Sequence, residues 1–505
     1  MPKKLPIFYS ALLLTGVNLL LRLVGTSFQV YISGRIGAAG VGLLQLTMSV
    51  GSLAMVAGIA GVRTAAMYLT AEELGKKRPG NVTWVLSGCF IYSILCSTAV
   101  SAALYLLAPV LAENWIGDVR TVNSLRLFAA FLPVSCLCAV MTGYFTAANR
   151  IGTLAAVEAA EQLCSMAATM AVLTLWAGDD PGRACQSVVI GSCLGACLTL
   201  CCLVIFRLTE RERPGPRIPV RSRLLQAAVP LAAADILKSG ISTTENLMVP
   251  KRLSLNSLID SPLAAFGIVS GMVFPIMMFP ACILFGLAEL LIPELARCAA
   301  AGSKNRISYL VRRSLRTAML YGILFSGLEF LLAEGLCKAL YDSPEAGRWL
   351  RLYALLIPML YCDAITDAMT KGLGQQKICV RYNILTNTMD VVFLYFLLPK
   401  YGMQGYFFSF LITHLVNFIL SLRRLLIITG ETIPFSVPAL SCAAALAAGW
   451  GASRLASPVL RVGIYPVLLG SLLCLSGILG REDIAWVKGL LRRRAIGPQR
   501  AKAAS

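Results

Sequence analysis

LPIFYSALLLTGVNLLLRLVGTSFQVYI, residues 5–32, is an apolar run with one arginine, Arg22, set well inside it. A bilayer core about 30 Å thick is crossed by roughly 20 apolar residues in a helix, so the run is long enough to span. It follows MPKK and superficially looks like a secretory leader. Its length and its polar stripe argue against cleavage, and it reads as an uncleaved first span.

Runs of this kind recur along the whole chain with only short gaps between them, leaving no room for a sizeable soluble domain. The composition agrees. Of 505 residues, 57% are hydrophobic and 14% charged, with a mean hydropathy of +0.74, whereas a soluble domain carries about 25% charged residues. A soluble enzyme, a secreted disulfide scaffold and a disordered chain are excluded. A transmembrane β-barrel is excluded too, because the spans are continuous apolar runs, not alternating segments of about ten residues. The expected class is an all-α polytopic membrane protein.

Hydropathy, bounded by charged, glycine and proline clusters, predicts fourteen helices, at 8–32, 41–69, 82–109, 123–147, 152–177, 185–206, 224–249, 263–294, 310–333, 350–371, 381–398, 403–426, 435–454 and 460–479. Cytoplasmic loops hold the excess of lysine and arginine. Placing the N-terminus inside assigns to the cytoplasm Lys76, Lys77 and Arg78, the arginines from Arg207 to Arg223, those from Arg297 to Arg313, Arg423 and Arg424, and Arg492 to Arg494. Both termini are then cytoplasmic and the protein is a multi-pass protein of the cell membrane. The net charge of +20 is on this reading a topology signal. It is divided among short loops, which argues against a nucleic-acid partner.

The most polar linker, RLTERERPGPRIPVRSR at 207–223, divides the chain. The expected organisation is an N-terminal six-helix bundle (1–206), the basic cytoplasmic linker (207–223), a C-terminal six-helix bundle (224–428), two additional spans (429–480) and a basic cytoplasmic tail (481–505). Helices four and five meet around TGYFTAANRIG, and helices ten and eleven meet similarly at MTKGLGQQKI, a weak sign of a duplicated unit. Transporters are often built from such repeats, with a site between the halves near the bilayer midplane.

Most of the seventeen cysteines lie inside apolar spans, as in the stripe Cys193, Cys197 and Cys201, where small polarisable side chains suit close packing. The single histidine, His414, sits alone in a hydrophobic run. No metal site is expected, and no Walker motif is present, since GLGQQK at 372–377 matches one only superficially.

A charge in the hydrocarbon core costs at least ~2.5 kcal/mol and normally faces a bundle interior or a wet cavity. The intramembrane charges therefore carry most of the functional information. On the first helix Asn18, Arg22, Thr26, Gln29 and Ser33 share a face, and on the second Gln45, Ser49, Ser52 and Arg63 do. The seventh aligns Asp235, Lys238 and Glu245, with Pro230 able to bend it. The tenth adds Asp363, Asp367 and Thr370, with Lys371 near its cytoplasmic end. Arg22 and Lys238 lie too deep to snorkel easily. Arg63, Glu289, Glu294 and Lys371 lie near the cytoplasm, where an interfacial role competes, and Asp235 and Lys238 at i,i+3 could simply neutralise one another. Arginine suits pyrophosphate because its planar fork donates paired hydrogen bonds at any relevant pH. Carboxylates such as Asp235 and Glu245 would instead take a proton or cation that couples transport.

Seven segments carry a resemblance: ISGRIGAAGVGLLQLTMSV (32–50), GIAGVRTAAMYLTAEELG (58–75), STTENLMVPKRL (242–253), GMVFPIMMFP (271–280), LAELLIPELA (287–296), DAMTKGLGQQKICVRYNIL (367–385) and LLPKYGMQGY (397–406). From about residue 8 to 426 the chain resembles the stage V sporulation protein B family of the multidrug/oligosaccharidyl-lipid/polysaccharide (MOP) flippase superfamily. The resemblance implies two six-helix bundles in a V around a central cavity, alternating between inward-open and outward-open states, with the last two helices forming a groove for a lipid tail. Lipid II flippases of this superfamily use arginines on their first, second and eighth helices against the pyrophosphate. Arg22 and Arg63 match the first two; the eighth span has no arginine, and Arg252 just before it or Lys238 on the seventh would have to substitute.

The leading expectation is a flippase, not an enzyme, that moves an undecaprenyl-pyrophosphate-linked saccharide such as a peptidoglycan precursor. Arg22, Arg63, Lys238, Asn18, Gln29, Gln45 and Arg252 would bind the substrate, and Asp235, Glu245, Asp363 and Asp367 would couple or gate. No cofactor is expected; a coupling ion or the membrane potential would drive the cycle. Partners are the lipid-linked oligosaccharide and the bilayer, with enzymes of cell-envelope synthesis as candidates. The alternatives are a cation-coupled multidrug exporter of the same fold, whose cavity should be net acidic, a membrane-embedded enzyme using a loop carboxylate such as Asp118, Asp179, Asp180, Asp260 or Asp342, and a pure scaffold.

Overall fold

The computed structural model describes residues 7–76, 78–177, 180–209, 215, 220–432, 436–455 and 457–479. The described residues form helices and no strand: α1 (Ile7–Ile59), α2 (Val62–Gly75), α3 (Val82–Val110), α4 (Val122–Ala147), α5 (Ile151–Val172), α6 (Pro181–Leu208), α7 (Arg221–Leu253), α8 (Pro262–Gly267), α9 (Phe274–Met278), α10 (Ala281–Ala300), α11 (Lys304–Tyr341), α12 (Pro344–Ala354), α13 (Ile357–Gly372), α14 (Gln376–Thr429), α15 (Ser436–Ser453) and α16 (Pro458–Leu475). Wider π turns extend α3 over Leu111–Ile116 and α5 over Leu173–Ala177, and a third joins α8 to α9 over Ile268–Val273.

Among the described residues seven helices are long and apolar enough to cross a membrane, or nine if each of two bent pairs is one span. This is a multi-pass membrane protein. Two of the seven, over Leu23–Gly75 and Gln376–Thr429, run to 53 and 54 residues, more than twice what one crossing needs. Each is broken by a glycine that no other residue could readily replace. Gly37 has φ 68 and ψ 174, and Gly402 has φ 56 and ψ −136, regions where a Cβ would collide with the backbone. The breaks fall where the apolar pattern predicts loops, at 33–40 and 399–402.

The chain folds as two compact units. The first comprises Met1–Ile283, Leu340–Asp342 and Val380–Val416. Its best-packed core joins α2 to α7: Val62, Leu69, Val85, Leu86, Val140, Phe145, Leu203, Leu224 and Ala228 are all buried. Bilayer tails are as apolar as leucine, so such helices associate through close packing and small residues rather than through water exclusion. Gly61, at φ 71, illustrates this, since a Cβ there would lie 2.5 Å from the Ala228 carbonyl oxygen of α7.

At the end of α2 a polar latch completes the contact with α7. Arg223 donates from Nη1 to Glu73 at 2.9 Å and from Nη2 to Glu72 at 2.7 Å. Asn81 donates to the second oxygen of Glu73 at 3.0 Å. Glu73 is only 2% exposed, so its carboxylate needs these partners to offset lost hydration.

The second unit comprises Leu284–Ala339, Ser343–Cys379 and Asn417–Ser505. Here α12 and α13 meet at a bend of 57°, with Pro358 at the start of α13. The helices α15 and α16 pack on α11 through Ile323, Ala444, Ala448, Tyr465 and Leu469. Tyr465 seats its ring where Gly327 leaves room and donates its hydroxyl to the Ile323 carbonyl at 3.2 Å.

Candidate functional site

In the first unit the polar stripes of α1 meet α7 and the π turn after α8. Thr243 donates to the Ser49 carbonyl at 3.1 Å, and Asn246 Nδ2 to the Ser49 hydroxyl at 3.0 Å. Gln29 Nε2 donates to the Gly271 carbonyl at 3.3 Å, and Gln45 Cγ comes within 4.0 Å of where a Cβ on Gly271 would sit. Gln29 and Gln45 thus flank one glycine. Gly271 lies within the π turn over Ile268–Val273.

The side chains of Asn18 and Arg22 lie outside the described residues. Arg63 is exposed on α2 and acts electrostatically on Glu158 of α5. Glu158 belongs to a second polar patch on α5: Glu161 accepts from Thr199 at 2.7 Å, and Gln162 donates to the Leu21 carbonyl at 2.9 Å. The sequence reading passed over α5, although its spacing of Glu158, Glu161 and Gln162 was available. Asp235 and Lys238 are both exposed on α7, and among the described residues they form no ion pair with one another.

Glu245, further along α7, lies within hydrogen-bonding reach of Asp390 on α14. Asp390, 7% exposed, accepts from Ser409 Oγ at 2.5 Å and from Thr413 Oγ1 at 3.2 Å. The His414 ring centroid lies 4.0 Å from that of Phe410, with the two rings tilted by 54°. Two carboxyl groups from different helices thus meet within the first unit. The sequence analysis named Glu245 and missed Asp390, whose signal was a carboxylate within an apolar span facing two hydroxyls on the next.

In the second unit Asp363 accepts from Asn417 at 3.0 Å, and Asp367 pairs with Lys371 one turn on. Arg424 donates to Gln375 at 2.7 Å. Asp363 and Asp367 thus share α13 with Lys371, close to the start of α14.

Two of the loop carboxylates, Asp118 and Asp180, have structural work. Arg120 clamps Asp118 with a 2.6 Å bond, and that hydrogen bond holds the Asp118 carboxyl below its usual range. Asp180 caps α6 by accepting from the Gly182 amide at 3.0 Å. Asp179 lies outside the described residues. Among the described residues no group of three histidine, cysteine or acidic side chains could hold a metal ion.

A cavity of about 560 Å³ opens at the C-terminal end of α7, lined by Lys251, Arg252, Trp115 and Tyr395 among others. The Arg252 guanidinium carbon sits 3.4 Å from the centroid of the Tyr395 ring. Lys251 Nζ donates to the Asn114 carbonyl at 3.4 Å.

Two family models match. MatE covers residues 230–396, and a family described as polysaccharide biosynthesis protein covers 41–259. Among solved structures, the lipid II flippase MurJ in an inward closed conformation aligns with a TM-score of 0.71 at 14% identity, over 94% of this chain and 100% of that one. An inward-facing multidrug resistance MATE family transporter of the MOP superfamily gives 0.63 at 13% identity, over 83% of this chain and 100% of that one. The chain thus shares its fold with transporters and flippases of the MOP superfamily. Among curated proteins, stage V sporulation protein B of Bacillus subtilis (strain 168) is 19% identical over 406 residues, 78% of each chain.

Proposed function

We propose that this transporter is a flippase that carries an undecaprenyl-pyrophosphate-linked saccharide, a peptidoglycan precursor, from the cytoplasmic to the outer leaflet of the cell membrane by alternating access. The observation that carries the reading is on α7: Lys238, Lys251 and Arg252 have no carboxylate ion-pair partner among the described residues, so the helix presents cations that lack an anion. Arg22 and Arg63 would take the pyrophosphate, with Asn18, Gln29 and Gln45 on the saccharide side. Names of relatives that cite lipid II and sporulation favour an envelope precursor. The deciding experiment is reconstitution with defined lipid-linked substrates, with arrival in the opposite leaflet as the readout. Transport of organic cations with no movement of any lipid-linked saccharide would replace this reading by a multidrug exporter, which the paired carboxylates Glu245 and Asp390 favour.

Those carboxylates are proposed as the coupling site. The combined change Glu245→Gln with Asp390→Asn keeps the shape and removes the charge. It is expected to lower gradient-driven translocation about tenfold or more while equilibrium binding of the substrate changes less than about twofold. Equal loss of binding and rate would mean that the pair serves the substrate directly.

Fourteen crossings with both termini cytoplasmic are proposed, Gly37 and Gly402 marking hairpin turns. In a background lacking the native cysteines, an impermeant thiol reagent added outside is expected to label cysteines placed at 180 and 343 but not at 215 or 498. Labelling at 215 in intact cells would reverse the topology.

A further inference from the structure

The cavity at the end of α7 has a composition that points to its ligand. Two cations from consecutive residues, Lys251 and Arg252, enter it, and neither has a carboxylate ion-pair partner among the described residues. Arg252 spends one face on the Tyr395 ring at 3.4 Å. A guanidinium stacked in this way keeps its in-plane N–H donors for a planar or tetrahedral oxyanion. Lys251 is held only by the 3.4 Å contact with the Asn114 carbonyl, and its remaining donors are uncommitted.

The rest of the wall is suited to a lipid surface. Trp115 is 49% exposed, and Leu255, which also lines the cavity, is 61% exposed, with Leu258 just beyond it at 89%. Tryptophan and tyrosine concentrate where a bilayer meets water, with the apolar part of the ring towards the chains and the polar part towards the headgroups. By the distribution of basic loops this end of α7 faces outwards. A free metabolite would gain nothing from exposed leucines at the rim, whereas a headgroup with an attached chain would cover them.

We propose that this cavity is a holding site for the phosphate of a lipid headgroup in the outer leaflet, where the translocated lipid lodges as it leaves. As an exit site it rests on the flippase reading; as a phosphate site it does not. Lys251 and Arg252 bind the phosphate oxygens, Tyr395 positions Arg252, and Trp115 with Leu255 flanks the first part of the chain.

The full-length protein in phosphatidylcholine nanodiscs would be titrated with undecaprenyl phosphate, with undecaprenol and with inorganic phosphate. Undecaprenyl phosphate is expected to bind, Lys251→Gln and Arg252→Gln each to weaken it about tenfold, and the double variant to weaken it about a hundredfold, with the thermal unfolding midpoint unchanged. Tyr395→Leu is expected to weaken it severalfold, because Arg252 loses its platform. Inorganic phosphate is expected to compete only at far higher concentration; competition at equal concentration would show that phosphate alone satisfies the pair and assign the site to the free anion. Equal binding of undecaprenol, or a double variant that binds as wild type does, would overturn the site. Wild-type protein that binds undecaprenyl phosphate but translocates no lipid-linked saccharide would overturn the flippase reading and leave the phosphate site standing. A double variant with weakened binding and undiminished translocation would remove the exit role.

Discussion

Arg22→Ala is expected to reduce translocation of the lipid-linked substrate about a hundredfold without unfolding the protein. The arginine lies deep in the first span, where a charge is tolerated only if it faces a polar interior. Truncating one partner of a desolvated charged hydrogen-bonded pair costs about 2–5 kcal/mol, and about 1.4 kcal/mol is tenfold. The helix keeps its apolar face, so its insertion and packing should survive. Arg22→Lys is expected to be impaired as well, because an ammonium cannot reproduce the bidentate fork. Wild-type translocation by Arg22→Ala at equal expression would remove Arg22 from the substrate site, and the assignment of Arg63 would then need independent support.

Gly267→Val is expected to abolish accumulation of folded protein. Gly267 closes α8 directly against the segment of α1 that follows Gly37, and a Cβ there would overlap the Ala38 carbonyl oxygen and the Gly42 amide. The relation is mutual, because a Cβ on Gly42 would overlap the Leu263 carbonyl oxygen. Backbone cannot yield as a flexible side chain can, so the cost should reach or exceed the roughly 3 kcal/mol at the upper end for overpacked cores. Gly34→Ala is the control, since nothing lies within 4 Å of a Cβ there. Detergent-solubilised yield and the unfolding midpoint measure both. A well-folded Gly267→Val protein would mean that the helices are free to move apart at this point.

Most apolar helices were legible because the bilayer imposes a length and a composition that any single span must meet on its own, but the single spans expected at 263–294 and 350–371 are each broken, by bends of 64° and 57°. The breaks were legible for a related reason: Gly37 and Gly402 sit where charged and turn-forming residues interrupt the apolar runs. Gln29 and Glu245 were marked by polarity inside apolar helices, and their described partners Gly271 and Asp390 lie elsewhere in the first unit. Asp390 escaped because its partners Ser409 and Thr413 lie 19 and 23 residues later and Glu245 lies on another helix. Arg223 escaped differently. It counted only as one more cytoplasmic charge, yet it binds Glu73 and Glu72 at separations of 150 and 151 residues.

The sequence by itself determined that this chain is a helical membrane protein, where most of its apolar helices lie and which few residues bear charge inside them. Each of these follows from local terms, since the solvation of a side chain and the hydrogen bonding of a helix are settled within one turn or one span. Only the tertiary structure decided which charges have partners. It gave Glu73 its arginine and Asp390 its hydroxyls, left Lys238, Lys251 and Arg252 without a carboxylate among the described residues, and brought the π turn after α3, the end of α7 and Tyr395 of α14 around one cavity. Whether a buried charge is neutralised depends on groups within about 4 Å, and in a folded membrane protein those groups come from helices far apart in the chain.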